Sequence, residues 1–329
     1  MKASSFYHPS GPRFLQELSA VPEMQRLRGV GMNCGCEYTS FRRFRRLRSY
    51  SRFDHSLGTA RIVWHFTGDE KQSAAALFHD IATPTFAHSV DFLRGDALRQ
   101  EATEAGTERI IRSSAAIGEL LRGFGIAVDD VVDYHRYPIA DNDAPRLSAD
   151  RLEYTLGNLE NYRLRPPAFL KLCYQYLCVA ENEDGEPELA FSDTATAIEF
   201  GFDALQCSRI YVSDEDRYAM QMLSELLGRA IERGVLAEED LMGTERDLIA
   251  KLLTEPETAA DWKRFRSLRE MVTDEELAPI ELRRVIPAKK RCIDPLVVGR
   301  GRLSRICKPF ADELQAFREQ DQSRWLCAK

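Results

Sequence analysis

One short stretch, residues 74–88, constrains this chain more than any other. Ala74-Ala75-Ala76-Leu77-Phe78 is an apolar run with helical texture, and it ends in His79-Asp80. A loop broken by Pro84 follows, and then a second histidine, His88. Adjacent His and Asp side chains can meet one metal ion only if further ligands arrive from elsewhere in the chain. Any fold this sequence adopts has to be read with that demand in mind.

The rest of the chain is read in order. Residues 13–30 form an amphipathic helix or two, broken near Pro22. Residues 42–52 hold six arginines interleaved with Phe41, Phe44, Leu47 and Tyr50. The favoured reading is a solvated helix face whose apolar residues pack inward; nucleic-acid binding is the lesser alternative. A helical pattern runs from His55 to Gly68, and another over about 71–79. Further helices are expected at 103–122, 128–137, 147–160, 168–174, 194–210, 214–233 and 244–253. Residues 178–193 carry an Asp-Gly turn between short apolar runs and predict a β-hairpin. Beyond the linker-like Glu255-Pro256-Glu257 come helical pieces near 260–271 and 309–324, with alternation over 280–298 that suggests one or two strands. The expected organisation is a mainly α helical domain over 1–253, with its core motifs at 51–154, and a mixed α/β extension over 254–329.

Composition excludes some classes. The net charge of −7 gives no global basic field for nucleic acid, and no apolar run approaches the roughly 18 residues of a membrane helix. The N-terminal Met1–His8 lacks a signal-peptide h-region. Eight scattered cysteines, Cys34 and Cys36 among them, are expected as reduced thiols in the cytoplasm.

The strongest set for chemistry is His55, His79, Asp80 and a later acid, Asp150. Two imidazoles and two carboxylates make a mixed N/O shell suited to one divalent transition metal: Mn, Fe, Zn or Ni and, less well, Mg. Spacing alone does not separate this set from satisfied core residues. His65, ten residues after His55, does not share its target, and His135 is read as structural.

The local wording says more. Ser51-Arg52-Phe53-Asp54-His55-Ser56-Leu57-Gly58, Leu77-Phe78-His79-Asp80, Phe86-Ala87-His88-Ser89-Val90-Asp91 and Ala149-Asp150-Arg151-Leu152-Glu153-Tyr154 together resemble the HD-domain phosphohydrolase superfamily. More narrowly they resemble its deoxynucleoside-triphosphate triphosphohydrolase branch, and Pro22-Glu23-Met24-Gln25-Arg26-Leu27-Arg28 adds to the likeness. The resemblance covers about residues 14–233 and implies an all-α core. It implies metal ligation by His55, His79, Asp80 and Asp150. It implies that His88 is the proton donor to the leaving oxygen, with Asp91 and Glu104 supporting the catalytic machinery. Arg52, Thr83, Arg151, Tyr154 and Tyr211 fall at substrate-contacting positions. Homo-oligomerisation is implied by the same likeness.

Two departures stand out: Thr83 and Thr103 occupy positions where the branch carries histidine. A threonine hydroxyl donates one hydrogen bond but cannot serve as a base near neutral pH. The expectation is therefore a metal-dependent phosphohydrolase acting on a nucleotide or related phosphate ester, dNTPase-like with an altered loop. The alternative is a nucleotide-binding regulatory protein with little turnover.

Overall fold

The computed structural model describes residues 11–96, 98, 106–273 and 278–329. It is mainly helical. The helices are α1 (Arg13–Ser19), α2 (Pro22–Arg26), α3 (Arg52–Thr67), α4 (Glu70–Phe78), α5 (His88–Leu93), α6 (Thr107–Ser113), α7 (Ala115–Gly123), α8 (Ala149–Asn161), α9 (Pro167–Gln175), α10 (Thr194–Tyr211), α11 (Asp214–Glu232), α12 (Glu245–Leu252), α13 (Pro256–Ser267), α14 (Leu303–Ile306) and α15 (Lys308–Glu319). Six short strands join them: β1 (Leu177–Glu181), β2 (Pro187–Phe191), β3 (Arg284–Val285), β4 (Leu296–Val297), β5 (Gly301–Arg302) and β6 (Trp325–Leu326).

Three helices build the framework of the site, and each starts from a side-chain cap. Ser51 and Asp54 form a reciprocal capping box at the start of α3, and Gly68 closes it in the left-handed conformation. Asp69 accepts from the backbone N–H groups of Lys71 and Gln72 to start α4. Ser148 does the same for α8 through Arg151. Helix α3 packs on both α4 and α8. Residues Ser73 to Phe78 of α4 are all buried, so this helix is a central strut rather than an amphipathic cover. Truncating the fully buried Phe78 to alanine is expected to cost about 3–5 kcal/mol.

The approach of α3 to α8 depends on Gly58. A methyl group there would lie 2.5 Å from a carboxylate oxygen of Glu153. A side chain at Gly58 would therefore displace a buried acid.

The expected hairpin forms, β1 antiparallel to β2. Strand β4 then adds to β2 in parallel and β5 to β4 antiparallel, giving the order β1-β2-β4-β5. Buried Arg302 locks this sheet, with 2.6 and 2.7 Å hydrogen bonds to the two oxygens of Glu188. A second pair, β3 with β6, is antiparallel. Residues past 253 share cores with earlier ones: Trp262 and Phe265 pack with Leu223 and Leu226 of α11, and Phe310, Leu314 and Phe317 with Leu205 and Val212.

Several local expectations are revised. The arginine-rich stretch is a series of turns and not a helix, although Phe41, Phe44 and Tyr50 are buried beneath it and Arg42, Arg43, Arg45 and Arg46 face solvent. The helix expected to reach Arg122 breaks at Ser114, whose hydroxyl caps α7 through Ile117. Residues 128–137 hold two single 3₁₀ turns. Residues 286–295, read as alternating strand, form no strand; only the flanking pairs 284–285 and 296–297 enter sheets. All eight cysteines are free thiols.

Candidate metal centre

His55, on the first turn of α3, and His79, at the C-terminal end of α4, point their Nε2 atoms at each other across 3.1 Å. Asp80 brings Oδ2 to 3.7 Å from the His55 Nε2 and 3.6 Å from the His79 Nε2. Asp150, on the first turn of α8, brings Oδ1 to 3.0 and 3.5 Å from the same two nitrogens. The donor atoms of His55, His79 and Asp80 all lie within 4.8 Å of one another. Ligands at metal–donor distances of about 2.0–2.2 Å have neighbours about 3.0–3.6 Å apart, so these spacings fit one ion.

The outward nitrogens support that reading. His79 Nδ1 lies 2.7 Å from the Ala76 carbonyl oxygen, which can only accept, so Nδ1 carries a proton and Nε2 is the ring nitrogen left facing inward. His55 Nδ1 donates to Glu153 Oε2 at 2.6 Å, and the Tyr50 hydroxyl donates to the same oxygen. Both imidazoles are thus held with Nε2 turned inward, the usual way an outer partner fixes a metal-binding histidine. Asp80 is held from two sides. Arg52 Nη1 donates to its Oδ2 at 3.0 Å, and the Thr83 hydroxyl donates to its Oδ1 at 2.8 Å.

Charge follows geometry. Burial alone would lower the His55 pKa, but Asp150 and Glu153 outweigh it and carry it up to about 10. For Asp80 burial works upward, and Arg52, His79 and His55 outweigh it to hold the carboxyl well below its usual range. The same two histidines depress Asp150 against burial. These four groups together favour positive charge at their centre.

His88 opens α5 after two residues in the left-handed region, Phe86 with φ 64° and Ala87 with φ 43°. Non-glycine residues held there store backbone strain. The loop before them is tied down: Arg26 Nη2 donates to the carbonyls of Ile81 at 3.0 Å and Thr83 at 2.8 Å, and the Thr85 N–H donates to the Leu241 carbonyl at 2.7 Å. His88 Nδ1 donates to Asp91 Oδ2 at 2.8 Å. Burial, with the charges of Arg291 and Arg52, outweighs Asp91 and lowers the His88 pKa to about 4.

A cavity of about 570 Å³ is lined by the four-residue cluster together with further polar and aromatic side chains. Arg52, His55, His79, Asp80, His88, Asp150, Arg151, Tyr154 and Tyr211 all line it. Arg151 pairs with Asp141 at 3.2 Å and donates to Asn142 at 2.8 Å. Tyr154 and Tyr211 meet edge to face, and the Tyr211 hydroxyl accepts from Asn158 at 2.8 Å. Thr83 and Asp91 stand behind the wall, fully buried, holding Asp80 and His88 respectively. Glu104 and Thr103 lie outside the described residues. His135 reaches the rim and bonds Asp141 at 2.9 Å.

Sequence reasoning gave no role to Glu153, Tyr50 or Arg26. Glu153 had a usable signal, since it lies three residues after Asp150 and so on the same helix face. For the cavity wall formed by Pro287–Cys292 the sequence offers the basic run Lys289-Lys290-Arg291, which could serve self-association, an effector phosphate or the fold, but nothing that places it beside the ligand set.

No protein-family model matches the chain. It is 23% identical over 238 residues to an uncharacterized protein of Bacillus subtilis, YdhJ, across 71% of this chain and 69% of that one. It is 26% identical over 148 residues to the metal-dependent phosphohydrolase cns2 of Cordyceps militaris, across 45% of this chain and 41% of that one. A distant, partial homologue is thus named a metal-dependent phosphohydrolase. Among the described residues no helix is long and apolar enough to cross a membrane.

Proposed function

We propose that this chain is a metal-dependent phosphohydrolase of the HD type, acting on a nucleotide or related phosphate ester. The observation that carries the reading is the convergence of two inward Nε2 atoms with Asp80 and Asp150, each imidazole locked by an acceptor on its far side. His55, His79, Asp80 and Asp150 would hold one divalent transition metal. Bound there, such an ion would supply an acidified water as nucleophile and a Lewis acid for a phosphoryl oxygen.

The remaining roles belong to the chain's own side chains. His88 is neutral at rest, with its Nδ1 proton on Asp91, so Nε2 is free to accept. A phosphate arriving beside it raises its basicity through opposite charge, so that Nε2 takes up a proton from solvent and passes it to the leaving oxygen. Arg52 and Arg151 flank the ligand set, while Tyr154 and Tyr211 form an aromatic wall suited to a sugar or base. The dNTPase-like assignment rests on the motif resemblance, and Thr83 is its weak point. Its hydroxyl is turned to Asp80, which favours as second reading a nucleotide-binding regulator with little turnover.

Purified full-length chain loaded separately with Mn, Fe, Zn, Ni and Mg, screened against nucleotides and phosphate monoesters with product identification, tests this. Hydrolysis abolished in His79→Ala is expected. Nucleotide binding without turnover under every metal would replace the enzyme by the regulator. Undiminished turnover in His79→Ala would sink the reading.

A further inference from the structure

The two arginines that the motif wording marks for phosphate are both engaged. Arg52 is spent on Asp80, and its Nε is buried without a partner. Arg151 is spent on Asp141 and Asn142. A third guanidinium faces the same cavity from outside the helical motifs. Arg291 lies in the irregular segment between β3 and β4 and lines the cavity with Pro287, Lys289 and Cys292. It is half-buried and makes no hydrogen bond or ion pair with another described residue.

The segment is held as a strap. Buried Arg217 of α11 donates to the Ile286 carbonyl at its start. Lys290 Nζ donates at 2.7 Å to the Arg318 carbonyl and at 2.5 Å to that of Gln320, just past α15, and so turns away from a role as ligand. At the far end the Asp294 N–H donates 2.8 Å to the Pro145 carbonyl, five residues before Asp150. Asp294 in turn accepts from Ser304 through both backbone and hydroxyl. With its neighbours anchored, Arg291 is presented to the cavity. Its charge acts on His88, Tyr154 and Asp216, all of which line the same cavity.

Lys290 apart, five Lys and Arg residues line this cavity against five aspartates. One of the five, Asp216, is pushed up to about 7 by burial and so gives up part of its charge near neutrality. With an ion also present the wall has a surplus of positive charge, and a half-buried guanidinium with no partner among the described residues is where an anion is best received. We propose that Arg291 is a substrate contact that binds an anionic phosphate group and determines specificity for it. This rests on the phosphohydrolase reading for its chemistry, but not for its test.

The test is calorimetric titration of inorganic pyrophosphate into the full chain as purified, for wild type, Arg291→Gln and Arg291→Lys, with the metal content and thermal midpoint of each. A charged hydrogen bond lost from a cavity wall weakens binding about tenfold or more. Arg291→Gln should show that loss with unchanged metal content and midpoint, and Arg291→Lys should recover part of it. Equal pyrophosphate affinity in wild type and Arg291→Gln overturns the proposal. So does a loss accompanied by a lowered midpoint, which would make Arg291 a structural residue. The two readings separate cleanly. Full turnover in His79→Ala ends the metal-centre reading, whereas the pyrophosphate titration is decided by Arg291 alone.

Discussion

The two walls of the cavity are built by opposite means. The metal wall draws His55, His79, Asp80 and Asp150 from the ends of packed helices, each helix start fixed by a cap, with His55, His79 and Asp80 held by outer partners. Another part of the lining is a strap without regular structure, fixed by side-chain and backbone bonds to distant carbonyls. The first is rigid because its backbone is committed in advance. The second is positioned only once several remote elements have docked. Substitutions should therefore have different signatures on the two sides: ion loss and destabilisation on one, weakened anion affinity alone on the other.

The largest expected effect is on the helical side. His79→Ala removes a ligand, and ion content by plasma mass spectrometry should fall beyond the about 10–100-fold that losing an outer partner costs. Next is Glu153→Gln, which leaves His55 in place but weakens its hold. Ion affinity should drop by about 10–100-fold, and an unchanged affinity would show that the outer partner does not matter here. Gly58→Ala tests the same support sterically. Pressing on Glu153, it should cost about 1–3 kcal/mol in chemical denaturation.

His88 lies between the two walls and supplies a pH test. Its folded pKa of about 4 is below the ordinary value near 6.5, so the unfolded chain takes up a proton that the folded chain refuses. Its contribution to stability is whole above about pH 6.5 and is lost as the pH falls towards 4. On going from pH 7 to 4, His88→Asn should lose less stability than wild type, by at most about 3 kcal/mol. Parallel denaturation midpoints would contradict the buried, neutral ring. The smallest effect belongs to the strap: Arg291→Gln should change folding stability by no more than about 0.5 kcal/mol.

The contrast also explains what could be read from the sequence. Helices α3, α4, α8, α10 and α11 and the hairpin announce themselves by local signals such as caps, periodicity and an Asp-Gly turn. His55, His79, Asp80 and Asp150 come together because those helices pack as their apolar faces require. Thr83 could be placed in the loop, but that its hydroxyl would turn to Asp80 depends on the loop's path, which Arg26 fixes from 55 residues away. Two-residue strands such as β4 and β5 carry no periodicity of their own, and their alignment with β2 is set by the buried Arg302–Glu188 contact. Alternation of basic and apolar residues is indifferent to whether a backbone partner exists, so of the stretch 280–298 only 284–285 and 296–297 pair as strands and the strap between them does not.

The strap's position in the chain has a consequence in time. The last residue of the proposed ligand set is Asp150 and the strap's cavity guanidinium is Arg291. At a synthesis rate of about 5–20 residues per second, roughly 7–28 seconds separate their emergence. A nascent chain therefore holds every proposed ion ligand well before it holds the group proposed to receive the anion.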